Sequence, residues 1–229
     1  MSKHPSSSLR IAALLAACLL LSAAGTASAG ILDLSANATD QSSIHGGQPQ
    51  FIGSNAFDNN GGTRWASDFP NTPQWLWVDL GTLDHVLSSV TIDWETANAT
   101  NYELRTRTTS QGPTSNPADW TLVASVTGHA GLPGGGAPGV DDILDFSTGA
   151  VSLSPPGGAG TVNVQNPVGR YLMFHTTDYS TTCCDGASIW EVTVDANPIP
   201  EPGTLALAAW GLVGLGLLGW RRHRIAAKT

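Results

Sequence analysis

Asp141, Asp142 and Asp145 form the tightest carboxylate group in this chain, with His45, His85, His129 and His175 scattered along the rest. Paired carboxylates can hydrolyse glycosidic bonds, and Ser-His-Asp sets can transfer acyl groups. Neither chemistry has its local sequence here. There is no nucleophile elbow, no metalloprotease helix and no phosphate-cradling glycine loop. The chain therefore reads as non-catalytic, with a secreted hydrolase kept as an alternative. Cys183 and Cys184 are adjacent, so no long-range bridge can form between them. The options are a strained vicinal disulfide, two free thiols, an intermolecular bridge, or part of a soft-metal site. Two cysteines without a nearby His make a poor zinc site. We take the vicinal disulfide, which would stiffen the loop Thr181–Gly186.

The two ends of the chain frame a single domain. Lys3 and Arg10 precede an apolar stretch from Ile11 to Ala24, and Ala27-Ser28-Ala29 follows. That is the pattern of a secretory signal peptide over 1–29, cut by signal peptidase before Gly30. Leu15-Ala16-Ala17-Cys18 offers the alternative of a lipobox with a lipidated Cys18. At the other end, Pro200-Glu201-Pro202 leads into an uncharged apolar run, Leu205 to Trp220, and then Arg221-Arg222-His223-Arg224. A spanning helix takes ~20 apolar residues (range ~17–25), so this is a short transmembrane helix. Its basic tail would stay cytoplasmic by the positive-inside rule. Triplet, span and Arg cluster in that order over 198–229 resemble a bacterial PEP-CTERM sorting signal. The resemblance implies cleavage near the triplet by an exosortase. It also implies an inner-membrane-anchored precursor, then display at the cell surface or in the biofilm matrix of a Gram-negative bacterium. A plain C-terminal anchor is the alternative.

Between the two lies 30–197, a length suited to one domain with a real core. It holds 17 acids against four arginines (Arg64, Arg105, Arg107 and Arg170), a balance near −13, and no lysine. Such a surface repels nucleic acid and anionic headgroups, and suits divalent cations and neutral ligands.

The elements that must position any site are strands. Apolar residues recur at alternate positions in 75–81, 90–94, 102–107, 121–126, 143–146 and 189–194, while 171–174 is nearly all apolar. Alternation of this kind marks half-buried strands, and no segment of the domain holds a helical period. Short strands separated by turn residues predict an antiparallel sandwich. Gly128 to Gly160 is rich in glycine and proline and reads as a tolerated surface insertion, which costs little in loop entropy. By their strand positions, Trp65, Trp75, Trp77, Trp94, Trp120 and Trp190 read mostly as core, with Trp77 partly exposed.

An ordered set of segments then stands out: Asn55-Ala56-Phe57-Asp58-Asn59-Asn60-Gly61-Gly62-Thr63-Arg64-Trp65, Gln74 to Gly81, Val90 to Glu95, Tyr102-Glu103-Leu104, Arg170-Tyr171-Leu172 and Ile189 to Val192. Over roughly Ser35 to Asp195 this set resembles the discoidin domain (coagulation factor 5/8 C-terminal type). Family 32 carbohydrate-binding modules belong to the same galactose-binding-like superfamily. The resemblance implies an all-β, eight-stranded antiparallel jelly-roll sandwich. It also implies a structural Ca²⁺ held by Asp58, Asn60, Thr63 and Glu191, with a backbone carbonyl near Asn55 or Ala56. An Asx-turn loop without metal is the alternative. Asn59 stands where the family often has glycine, a mild departure because Asn tolerates left-handed angles.

Ligands of the family sit on loops at one end of the sandwich, here Ser43–Gln50, Ala66–Thr72, Thr96–Asn101 and Thr176–Gly186. The resemblance implies Tyr179 as an aromatic platform, with His45, Gln48, Asn98, Asn101 and Asp178 as polar partners for a glycan or exopolysaccharide. Galactose-binding relatives place a His and an Arg where this chain has Ala66 and Glu95-Thr96, which argues against galactose itself. Ile44 and Phe69 are the only large apolar candidates on these loops, which argues against membrane docking through the domain. The expected function is a non-catalytic, exported, carbohydrate-binding surface protein. A structural or adhesive matrix protein without small-sugar binding is the alternative.

Overall fold

A computed structural model describes residues 30–68, 72–131, 141–177, 186–199 and 211. The signal peptide, Asp178, Tyr179, Cys183, Cys184, the Pro200-Glu201-Pro202 triplet and the apolar run other than Gly211 lie outside the described residues. Among the described residues no helix is long and apolar enough to cross a membrane.

Thirteen strands are described: β1 (Gly30–Ile31), β2 (Thr39–Gln41), β3 (Trp65–Ala66), β4 (Trp75–Asp79), β5 (His85–Trp94), β6 (Tyr102–Arg107), β7 (Thr121–Thr127), β8 (Asp141–Asp145), β9 (Ala150–Ser152), β10 (Ala159–Val162), β11 (Val168–Gly169), β12 (Tyr171–Thr176) and β13 (Ser188–Pro198). They form two antiparallel sheets. One runs β1-β13-β5-β8-β9, with β11 on β5 and β3 on β13; the other runs β10-β7-β6-β12-β4-β2. The sandwich matches the expected class. The strand count differs from the eight that the resemblance implies: thirteen are described, six of them (β1, β2, β3, β9, β10 and β11) only two to four residues long.

Val90, Ile92 and Trp94 share one inward face as expected, whereas in β4 the inward face is Leu76 and Val78 and not Trp75 and Trp77. Leu76 and Val78 of β4, Tyr102 and Leu104 of β6, and Leu172 and Phe174 of β12 meet Val90, Ile92 and Trp94 of β5 and Val192 and Val194 of β13. Trp94 stands at the centre, with ring centroids 5.4 Å from Tyr102 and 5.3 Å from Phe174, both edge-on. Edge-to-face packing of this kind adds ~0.5–1.5 kcal/mol per pair beyond burial. Trp65, Trp94 and Trp120 are buried, whereas Trp75, Trp77 and Trp190 are only half-buried. Trp75 and Trp77 pack with Trp120, Tyr171 and Met173 in a second cluster.

Two register slips interrupt the pairing of β5 with β13. Between Ser89 and Leu87 of β5 the partner strand advances by one residue only, leaving Ser88 extra; between Ile189 and Glu191 of β13 the extra residue is Trp190. A bulge re-aims the side chains around it. Here it turns Trp190 and Glu191 away from the core while Ile189 and Val192 stay buried.

The Gly128–Gly160 segment is more structured than a surface insertion. It carries β8, β9 and the start of β10. His129 and Asp142 are fully buried in it, joined at 2.9 Å. Asp142 also accepts from Trp94 Nε1, Tyr102 Oη and Ser154 N.

Candidate functional site

One end of the sandwich carries a cavity of about 190 Å³ lined by His45, Arg64, Ala66, Ser67, Glu95, Ala97, Gly186, Ala187 and Ser188. Each of the four loops expected to hold ligand contributes at least one of these residues. The floor is a hydrogen-bonded weave. Ser67 N donates to Ala187 O and Ala187 N to Ser67 Oγ, both at 2.9 Å. Ser188 N donates to Ala97 O at 2.9 Å, and Glu95 N to Ser188 O at 3.1 Å. Gly186 is needed for this closeness, since a Cβ there would stand 3.0 Å from both Asp68 O and Ser67 Oγ.

Besides Ser67 and Ser188, three ionisable side chains line the cavity. Glu95 Oε2 accepts from Ala97 N at 3.0 Å, and among the described residues Glu95 forms no ion pair. The Arg64 guanidinium carbon lies 4.9 Å from the Phe51 ring and 5.0 Å from the Trp190 ring. Its Nε is buried with no hydrogen-bond partner among the described residues. His45 packs on Phe51 with ring centroids 5.5 Å apart. A fork of donors, a carboxylate acceptor and an imidazole around one small cavity can bind the hydroxyls of a sugar ring.

Of the expected ligand residues that are described, only His45 lines this cavity; Asp178 and Tyr179 lie outside the described residues. Gln48 is exposed and bonded to Gln50. Asn98 is a correction: it is fully buried, its Nδ2 2.7 Å from His129 Nδ1 and 3.1 Å from Ala130 O. Trp94 just ahead of it enters the core and pulls the start of this loop inside. Asn101 accepts from Gly128 N at 2.8 Å and so ties two loops together. Arg64, Ser67, Glu95 and Ser188 were not expected in the site. The signal for Glu95 was present, because Ala66 and Glu95 stand where galactose-binding relatives carry contact residues.

The oxygen-rich loop lies beside the cavity and brings Asp58, Asn60, Thr63 and Glu191 together. Thr63 Oγ1 donates to Asp58 Oδ2 at 2.7 Å. Asn60 N lies 3.0 Å from Asp58 Oδ1 and 3.2 Å from Glu191 Oε2. The loop turns on Asn59, at φ 57°. Burial, and then the charge of Asp58, push the Glu191 carboxyl up to about 7 against the pull of backbone N–H donors. Two crowded carboxylates with an amide, a hydroxyl and carbonyl oxygens are hard donors that fit a cation such as Ca²⁺. No cluster of three or more His, Cys, Asp or Glu able to hold a metal occurs among the described residues.

Residues 55–137 match the family model of the NedA-like, galactose-binding domain. The matched span holds the oxygen-rich loop and the cavity residues Arg64, Ala66, Ser67, Glu95 and Ala97. Among solved structures, chitosan-binding module 1 of a chitosanase/glucanase from Paenibacillus sp. IK-5 is 26% identical, covering 72% of this chain and 99% of its own, with a TM-score of 0.49. Module 2 of the same enzyme, in complex with chitotriose, is 28% identical over 71% of this chain and 96% of its own, at 0.47. The family 32 module of C. perfringens NanJ, in complex with galactose, is 18% identical over 73% and 99%, at 0.46. No curated protein matches this chain.

Proposed function

We propose that this chain is a non-catalytic, exported glycan-binding protein whose cavity at the loop end takes a single sugar ring. The observation that carries the reading is the juxtaposition of Arg64 and Glu95 in one cavity without pairing to each other. A carboxylate and a guanidinium left open toward a cavity are ready partners for sugar hydroxyls. The match to a galactose-binding domain over 55–137 points the same way. At about 190 Å³ the cavity is smaller than the ~300–1,000 Å³ of drug-sized sites, which favours one ring over a long chain segment.

In this reading a Ca²⁺ held by Asp58, Asn60, Thr63 and Glu191 has a structural role, tying an early loop to the last strand. The 1–29 and 198–229 segments supply export and exosortase sorting to the surface of a Gram-negative cell. Mass spectrometry of the mature C-terminus, with and without Pro200-Glu201-Pro202 replaced by alanines, tests the sorting step.

Binding is tested by calorimetry and thermal shift on the purified protein with galactose, chitotriose and a panel of neutral and acidic polysaccharides. Because a ligand that binds only the folded state must stabilise it, one responsive glycan, lost in Arg64→Ala, supports the reading. No response to any glycan moves the function to a structural or adhesive matrix role.

A further inference from the structure

The cavity and the oxygen-rich loop share one short ladder. Trp65 pairs with Ile189 and Ala66 with Ser188. One end of this ladder continues into Thr63 and Glu191. The other end, Ala66 and Ser188, lines the cavity. Three residues of strand, ~10 Å, separate Ser188 from Glu191.

Arg64 lies between the two. It follows Thr63 in the chain, and it lines the cavity. Its guanidinium is gripped by Phe51 and by Trp190, the extra residue of the β13 slip and the neighbour of Glu191. No side-chain hydrogen bond holds it: Arg64 Nε and Trp190 Nε1 are both buried without partners among the described residues. A guanidinium held by two ring faces goes where the rings go. Phe51 in turn contacts His45 across 5.5 Å, so the same stack reaches a second cavity residue.

We propose that Arg64 is the positioning residue through which the Asp58–Thr63 loop and Glu191 set the shape of the sugar cavity. Drawing the loop and Glu191 together fixes Thr63 and Trp190 on either side of Arg64 and presents its fork to the ligand. The inference rests on the glycan reading and on a divalent cation being what draws them together. Coupling between sites is reciprocal, so a cation that tightens sugar binding must itself be tightened by sugar.

The test uses Ca²⁺ with chitotriose and with galactose. Their binding is measured by calorimetry at saturating Ca²⁺ and in chelator, for the wild type, Arg64→Lys and Trp190→Leu. Lysine keeps the charge but loses the planar stack. The Arg64 Nε–H resonance, identified by its absence in Arg64→Lys, is followed through a Ca²⁺ titration without sugar. The expected result is roughly tenfold tighter sugar binding with Ca²⁺, within the usual 5–150-fold range of coupling. That dependence should vanish in both variants while Ca²⁺ still raises their melting temperatures, which shows that they fold and hold the ion. Sugar binding that is equal with and without Ca²⁺ overturns the inference and leaves the glycan reading standing. So does a Ca²⁺ dependence that survives Arg64→Lys. If neither sugar binds, a shifted Arg64 resonance supports the coupling while the glycan reading fails for these sugars, and an unmoved resonance overturns it.

Discussion

His129 Nε2 donates to Asp142 Oδ1 at 2.9 Å with neither side chain exposed to solvent. The other ring nitrogen lies 2.7 Å from both Ala130 O and Asn98 Nδ2, so it can donate to the carbonyl when the ring is charged and accept from the amide when it is neutral. Burial alone would lower the His129 pKa, but the Asp142 hydrogen bond and charge, with the Ala130 carbonyl, raise it above 6.5. A raised folded value means that the pair's stabilisation is fully present below the unfolded pKa of ~6.5. It is lost as pH rises through the folded value. The stability difference between the wild type and His129→Gln, by urea unfolding, should therefore shrink as pH rises from 6 towards 9. A difference constant across that window would remove the charged pair from the account. Asp142→Ala should cost about 3–5 kcal/mol, as breaking one partner of a buried pair does, because it also strands Trp94 Nε1, Tyr102 Oη and Ser154 N.

Glu95→Gln isolates the role of charge in the cavity. A glutamine oxygen can still accept from Ala97 N, so the loop keeps its turn. The variant should lose about 1 kcal/mol of stability, because the acceptor for Ala97 N becomes neutral. Hydrogen bonds to charged groups are worth ~1.5–3 kcal/mol against ~1 for neutral ones. Glycan affinity should therefore fall about tenfold. Unchanged affinity by calorimetry would take Glu95 out of the contact set.

Why these residues were hard to read is visible at the two bulges. Alternation across 90–94 was legible because Val90, Ile92 and Trp94 all face the core. The strand in fact starts at His85, and the extra Ser88 breaks the phase so that Leu87 and Val90 both point inward. A period-two reading stops at such a break. The same effect hid Trp190. By alternation it is one more strand tryptophan, yet the slip turns it onto Arg64. The oxygen-rich loop was legible from a local motif, with the distant Glu191 supplied by the family resemblance. Arg64 became a site residue only through pairing of segments more than ninety residues apart, which no local pattern encodes, whereas Glu95 was marked only by its place in the family pattern. Asn98 failed for the opposite reason: a polar residue on an expected loop was satisfied inside by His129 and Ala130.

Gly158 tests whether the glycine-rich segment is a tolerant insertion or part of the fold. Its φ is +80°, and an added Cβ would stand 2.4 Å from Thr127 O and 2.5 Å from the Gly128 carbonyl. The obstructing atoms are backbone, so the clash cannot be relieved by a rotamer. A left-handed angle costs an L-residue ~1–2 kcal/mol, and overpacking typically adds ~1–3. Gly158→Ala should therefore lose roughly 2–5 kcal/mol. Gly112→Ala has a similar φ of +67° but open space around the Cβ, and should lose only the first part. Equal losses in the two variants by denaturant unfolding would show that the packing around Gly158 yields.

The oxygen-rich loop makes the most direct claim about ions. Asp58 and Glu191 crowd each other at Asn60 N, which lies within 3.2 Å of both. Removing either charge weakens the cage as an ion site but relieves the crowding without ion. Asp58→Asn and Glu191→Gln should thus melt close to the wild type in chelator and fail to gain from Ca²⁺. The wild type should gain about 2.7 kcal/mol at a hundredfold excess of Ca²⁺ over its dissociation constant. Mg²⁺ should help less, because it demands near-ideal octahedral geometry and dehydrates reluctantly. If both variants still gain from Ca²⁺ as the wild type does, the ion sits elsewhere, and Asp58, Asn60 and Thr63 are then an Asx-type turn that needs no metal.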